Sequence, residues 1–353
     1  MDIVESLLMS SVIHTTKMKN IAVKLSAALF MSTFLTFGAF AADDAVMMSL
    51  KDGASAMQSG KFQDSIDIYT KALVASDLSD QNKGKLLAAK ANTMLEQGWA
   101  TRQDKPLKDA IDTFNMALEF QNPETTPLAW ADSNTKLADV YRSLAFGMYN
   151  NDMAEEGEKL YNQAIASLTA ALTVLDKESN PQEWGEAQRA LGQVNANSDT
   201  SLAITGKTSS ATRLTESIKA FNAALEIYTK EADPVSWAGL NFQLGDIYTT
   251  LHQRQGGTVW LEKSITSHKK VLEVLKKEDN PSVWAQVQYF LGNGLVELGA
   301  AGKDKDLLKE AIVASRLATE SDYFKTIFPE FYDRNLSNIG IAEGLIKKYD
   351  EEN

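Results

Sequence analysis

The sequence has 353 residues, a formal net charge of -12 and no cysteine. The absence of cysteine excludes disulfide bonds, thiolate nucleophiles and cysteine-ligated metal sites. The acidic balance argues against nucleic acid as a partner, because phosphate backbones are bound through Lys and Arg. A chain of this length can bury a hydrophobic core of its own.

The first 41 residues have the layout of a secretory signal peptide. Three lysines precede the apolar run 25–37, which is followed by Ala39-Phe40-Ala41. This run is shorter than the roughly 20 apolar residues that span a membrane, and no later run approaches that length. We therefore expect cleavage after Ala41 and no membrane span in the mature chain.

The expected mature domain covers residues 42–353. Met18 opens the basic stretch more directly than Met1 does, so a start at Met18, with residues 1–17 not translated, is an alternative. An exported protein without disulfides fits the bacterial periplasm. Secretion to the outside is the alternative location.

The motif Pro-x-x-Trp recurs along the rest of the chain. Five copies follow one another at steps of 47–54 residues, the last with Tyr in place of Trp. Seven and eight residues after each aromatic come an apolar residue and a small one. The aromatic members are Trp130, Trp184, Trp237, Trp284 and Tyr332. Such repetition indicates a repeat fold rather than a single active site.

A second pattern lies between these copies and predicts a second helix in each unit. A small residue followed by Ile recurs there, with apolar or small residues at the three, four, seven and eight offsets of an amphipathic helix. In each unit, an A helix begins at the Pro behind an N-cap such as Asn180, Asp233 or Asn280. The predicted A and B helices are 45–59 and 62–76, 81–99 and 105–121, 127–149 and 156–176, 181–196 and 211–231, 234–253 and 259–277, 281–299 and 304–320, with a closing helix at 329–348. No segment has a convincing period of two, so the predicted fold class is all-α in one continuous domain.

These units resemble the tetratricopeptide repeat. Leu244-Gly245 with Tyr248 matches the first helix of that repeat, and Ala110, Phe114 and Ala117-Leu118 match the second. The resemblance implies a right-handed superhelical solenoid of about six antiparallel helix hairpins plus a C-terminal capping helix. It also implies a platform that binds a protein or peptide. Together with the N-terminal signal pattern, this predicts a bacterial, exported binding protein that uses no cofactor. Most units here are longer than the standard 34 residues.

Signals for chemistry are weak. Thr205-Gly206-Lys207-Thr208 resembles the end of a phosphate-binding loop, but Ser201 stands where that motif needs Gly. We expect the polar stretch 195–210 to be a flexible protrusion. His252 and His268 have no further ligands at metal-binding spacing, and His268 occupies a packing position of the repeat.

Pairs of adjacent acidic residues are the remaining candidates for catalytic groups. Asp43-Asp44, Glu155-Glu156 and Glu351-Glu352 lie at termini or in a turn, where solvated surface is the usual interpretation. We therefore predict no catalytic, cofactor-binding or metal-binding residue. An all-α toroidal hydrolase that acts on a glycan through two carboxylates is the alternative hypothesis.

The A helices leave one face for function. The repeated Trp shares its face with residues seven and eleven positions later, which predicts core packing, with sugar stacking as the alternative interpretation. The opposite face carries the candidate groove for a protein or peptide partner: Asp139, Arg142, Arg189, Gln193, Phe242, Asp246, Tyr289 and Asn293. An ordinary solvated face is the other interpretation. The predicted function is that of a non-catalytic exported scaffold.

Overall fold

Helix follows helix along the chain, as the repeat predicts. The computed structural model describes residues 41–74, 78–149, 153–204 and 211–352. These residues form 14 α-helices and no β-strand. The signal-peptide prediction, apart from its last residue, and the fragment Thr205 to Thr208 lie outside the described residues.

The helices fall into two units. The N-terminal unit ends at Arg213 and the C-terminal unit starts at Leu214. The first seven helices are α1 (Ala41–Gln58), α2 (Phe62–Leu73), α3 (Asp80–Thr101), α4 (Asp104–Glu119), α5 (Pro127–Tyr149), α6 (Ala154–Ala171) and α7 (Pro181–Ile204). The others are α8 (Thr212–Leu225), α9 (Pro234–Gln255), α10 (Thr258–Val274), α11 (Pro281–Gly302), α12 (Lys305–Thr319), α13 (Asp322–Ile327) and α14 (Pro329–Glu351). The short α13 has no counterpart among the predicted helices.

Every copy of the Pro motif begins a helix. The five prolines are the first residues of α5, α7, α9, α11 and α14. The Asp233 side chain accepts a hydrogen bond from the backbone N–H of Ser236 at 3.0 Å, and the Asn280 side chain accepts one from Val283 N–H at 3.3 Å. The capping prediction is therefore confirmed at these two positions.

In the N-terminal unit, consecutive helices pack as hairpins. α1 pairs with α2, α3 with α4, and α5 with α6. The stripe of α4 predicted from the repeat is buried, including Ala117, and Leu107, Ala110 and Phe114 lie in one core cluster with Tyr161 of α6. The A helices α3, α5 and α7 also contact one another in order. They are therefore enclosed on more sides than the B helices.

In the C-terminal unit, the small residue of the Leu-Gly pair permits close helix packing. A Cβ on Gly245 of α9 would lie 2.6 Å from Cε1 of the His268 ring on α10, and a Cβ on Gly292 of α11 would lie 2.5 Å from the hydroxyl of Ser315 on α12. Real Cβ atoms do not approach other atoms so closely. Glycine at these positions lets the two helices of a hairpin touch.

The expectation of a flexible protrusion over 195–210 is wrong for its first ten residues. α7 continues to Ile204, and Ser198 and Ser201 on it are buried. The Ser198 hydroxyl donates to Glu158 of α6 at 2.9 Å, and Arg213 pairs with the same carboxylate at 3.0 Å. Tertiary hydrogen bonds keep this polar sequence helical and buried.

The repeated Trp residues are half-buried rather than fully buried, which corrects the prediction of a core position. A lysine seven residues earlier covers the exposed ring face in the C-terminal unit. The Lys230 ammonium lies 5.8 Å from the Trp237 ring, Lys277 lies 5.3 Å from Trp284, and a third pair, Lys325 and Tyr332, is 5.4 Å apart. The seven-residue spacing between the lysine and the aromatic residue is visible in the sequence, but the repeat pattern described above did not include it.

Trp237→Ala is expected to lower the free energy of unfolding by about 2 kcal/mol, roughly half the loss for a fully buried aromatic. The half-buried ring packs beside Ala238, Val271 and Val287, and the Lys230 ammonium lies 5.8 Å from its centre. Urea unfolding followed by circular dichroism measures the change. A loss above about 4 kcal/mol would indicate a fully buried ring.

Candidate partner-binding surface

Charged side chains of α5 and α7 form the most distinctive polar surface of the N-terminal unit. The two helices pack against each other. Residues that stand at the same distance from the repeated Trp in each helix therefore lie side by side. We define the inner ionic surface as Asp132, Lys136, Asp139, Arg142, Glu183, Glu186 and Arg189. It includes three of the predicted groove residues, and both signs of charge are present.

Asp132 is the most perturbed carboxyl of this surface. Its side chain is exposed, yet protein surrounds it on several sides. This enclosure raises the pKa of Asp132, Lys136 opposes that shift, and the negative charges of Glu186 and Glu183 add to it. Such crowding of carboxylates favours an incoming positive charge.

Lys136 stands one turn after Asp132 and is half-buried. The surrounding protein lowers its pKa, but Asp132, Glu186 and further carboxylates raise it more, so the net shift is upward. The ammonium therefore stays charged at neutral pH. It offers a contact for an acidic group beside the Asp132 site.

The predicted residues Arg142 and Arg189 each have an acidic neighbour one turn away. Arg142 pairs with the buried Asp139 at 3.2 Å, and the Arg189 Nε donates to Glu186 at 3.0 Å. These pairs fix the side chains on the helix surface. Gln193 follows Arg189 by one turn and is half-buried.

The four predicted residues of the C-terminal unit do not form a free face. Tyr289 is only 1 % exposed, with its ring 5.0 Å from that of Phe331 on α14 and 5.2 Å from that of Phe290. Phe242 is half-buried and lies edge-on to Phe290. The expectation that these side chains face a partner is wrong, because the neighbouring helices cover them.

The two polar residues predicted in this unit also have protein neighbours. Asp246 is buried, 3.5 Å from His268. Asn293 is half-buried, and its side-chain oxygen accepts a hydrogen bond from Asn338 of α14. The packing role predicted for His268 is confirmed, and the ring is more deeply buried than expected.

The sequence contains a pattern that identifies Asp132 and Glu186, which were not among the predicted groove residues. Asp132 and Glu186 both stand two positions after a repeated Trp, where later units have Gly239 and Gln286. Acidic residues at this position are thus confined to two consecutive Trp-containing units. Within the described ranges, no group of three or more potential ligands could hold a metal ion, and no helix combines the length and apolarity of a membrane span.

Comparisons with known proteins give the fold. No protein-family model matches the sequence, and no curated protein matches it. The nuclear import adaptor Nro1 of S. pombe has a similar structure, with a TM-score of 0.50 and 12% identity over 86% of this chain and 99% of Nro1. A protein of Podosopora anserina reported as a kinesin light chain with nearly identical TPR-like repeats aligns with a TM-score of 0.40 and 14% identity, covering 64% of this chain and 95% of its own. The chain thus has an all-α fold of the TPR-like repeat type, and the described residues form helix hairpins in both units.

Proposed function

We propose that the protein is a non-catalytic scaffold that holds a segment of a protein partner against the inner ionic surface of its N-terminal unit. The observation that carries this proposal is the set of oppositely charged side chains held in fixed order by the packing of α5 on α7. A preformed surface loses little entropy on binding, so the flexible partner alone is ordered.

The charges favour a partner segment that carries both signs. Arg142 and Arg189 are already paired within the protein, so a ligand must offer carboxylates in the right register to exchange with Asp139 and Glu186. Asp132, beside two further carboxylates, favours a Lys or Arg of the ligand. A match between the order of charges on this surface and on the partner segment determines which partner binds more than how tightly it binds.

Two further points support the proposal. Nro1, which has a similar fold, is an adaptor, and adaptors act by binding. The N-terminal sequence supports export to a bacterial periplasm, with secretion as the alternative, and N-terminal sequencing of the mature chain tests this. The alternative of a toroidal glycan hydrolase gains no support from the comparisons, and turnover of oligosaccharides by the purified protein would favour it.

Site-specific cross-linking tests the binding surface. A photo-reactive amino acid in place of Lys136 is expected to capture a partner in a cell-envelope extract. The same group in place of Lys105, an exposed residue of the B helix α4, is the matched control. Arg189→Glu is expected to weaken capture at least about tenfold, because it reverses one of the charges that the partner segment is proposed to match. Equal capture at both positions, or capture that Arg189→Glu leaves unchanged, would contradict the proposal.

A further inference from the structure

A buried acid–base pair lies in the core of the C-terminal unit. Asp246 of α9 is 5 % exposed and His268 of α10 is 0 % exposed. Oδ1 of Asp246 lies 3.5 Å from Nε2 of His268, and neither these atoms nor Oδ2 has a hydrogen bond of ordinary geometry within the described part of the chain. Two ionisable groups thus face each other inside the protein.

The surroundings hold the His268 ring in place. Its face stacks on Phe290 of α11 at 5.5 Å, and Phe242 of α9 meets it edge-on at 5.9 Å. Gly245 allows the ring to lie directly against the backbone of α9. The ring therefore has no space in which to turn away from Asp246.

Hydroxyl groups line the far side of the ring. The Ser264 hydroxyl lies 3.2 Å from Nδ1 of His268, 3.0 Å from the carbonyl oxygen of Gly245 and 2.8 Å from the Thr249 hydroxyl. Nδ1 thus has a hydrogen-bond partner in Ser264, whereas Nε2 faces the Asp246 carboxyl.

The contacts that the structure describes around the pair are uncharged. The contacts described from α11 are aromatic, and those from α9 and α10 are Gly245, Phe242 and hydroxyl groups. Burial raises the pKa of Asp246, and within the described part of the chain only His268 acts against this shift. The carboxyl is thus held closer to its neutral form than an exposed Asp.

The charge on Asp246 decides the stability of the pair. A protonated carboxyl adds no charge to the core. Ionisation of Asp246 leaves a buried carboxylate with no hydrogen bond of ordinary geometry within the described part of the chain, which is costly.

We propose that Asp246 and His268 form a proton-linked switch of the C-terminal unit. The packing of α9, α10 and α11 is tight while the Asp246 carboxyl holds its proton and loosens when that proton is lost. The sign for Asp246 follows from its raised pKa. Its stabilising contribution is complete at low pH and is lost as the pH rises through the pKa of the folded state.

Melting profiles of four full-length proteins test the switch: the wild type, Asp246→Asn, His268→Gln and the double variant. As the pH rises from about pH 5 to about pH 8, the wild-type melting temperature is expected to fall relative to that of the double variant, because Asp246 then ionises inside the core. Asp246→Asn should lose this decline, because an amide does not ionise. His268→Gln should keep it, because the buried Asp246 carboxyl is still present.

Two controls separate the switch from general pH effects. His252→Gln removes the other described histidine, which pairs with Glu297 near the surface, and should leave the profile unchanged. In the wild type, the protection of amides in α9 and α10 against hydrogen exchange should fall relative to that in the double variant as the pH rises, whereas the protection of amides in α5 should not. A wild-type profile parallel to that of the double variant, or exchange that changes equally in α5 and α9, would overturn the proposal.

Discussion

Phe114→Ala is expected to lower the free energy of unfolding of the N-terminal unit by about 3–5 kcal/mol. The Phe114 ring is 1 % exposed and lies in the core cluster that joins α4 to α3, α5 and α6. Its removal leaves a cavity between helices that cannot collapse without losing their own contacts. Urea unfolding followed by circular dichroism measures the loss.

Met116 provides the matched control on the same helix. Its side chain is 50 % exposed on the outer face of α4, so Met116→Ala should change the free energy of unfolding by less than about 0.5 kcal/mol. Similar losses for the two variants would show that the amphipathic stripe of α4 is not what holds the unit together.

Gly245→Ala is expected to destabilise the C-terminal unit by about 1–3 kcal/mol, the usual cost of forcing an extra methyl group into a packed core. The new Cβ would lie 2.6 Å from the His268 ring, which Phe242 and Phe290 prevent from moving. Thermal unfolding of the full-length protein measures the effect.

The same repeat position in the last helix should respond with the opposite sign. Gly340 of α14 follows Ile339 as Gly245 follows Leu244, but a Cβ added there meets no atom within 4 Å. Gly340→Ala should therefore stabilise the helix by about 0.5–1 kcal/mol, the difference in helix propensity. A loss at both positions would show that glycine is needed for its backbone freedom rather than for space.

The sequence predicted the helix starts because that signal is local. A cap, a Pro at the first turn and a Trp three residues later lie within a few residues of one another, and the helices begin at Pro127, Pro181, Pro234, Pro281 and Pro329 as expected. The hydrophobic stripe of α4 was predicted from spacing within the same helix. The end of α7 could not be predicted in this way, because Ser198 is held by Glu158, 40 residues earlier in the chain.

The candidate surface was predicted in part for the same reason. A helical wheel shows which residues point away from the repeated Trp, and it identified Asp139, Arg142 and Arg189. It does not show whether another helix covers that face, as α14 covers Tyr289. The charge of Asp132 became important only when α7 brought Glu183 and Glu186 beside it.

The lysines that cover the Trp rings also join consecutive repeats. Lys230 binds Glu273 at 2.6 Å and Lys277 binds Glu320 at 2.7 Å, each 43 residues along the chain. Both junctions therefore use the same donor, ring and acceptor. A duplicated copy of residues 234–280 would carry the Trp, the glutamate and the next lysine that these junctions need. Growth or shortening of the gene by this whole repeat would therefore keep the lysine junctions intact.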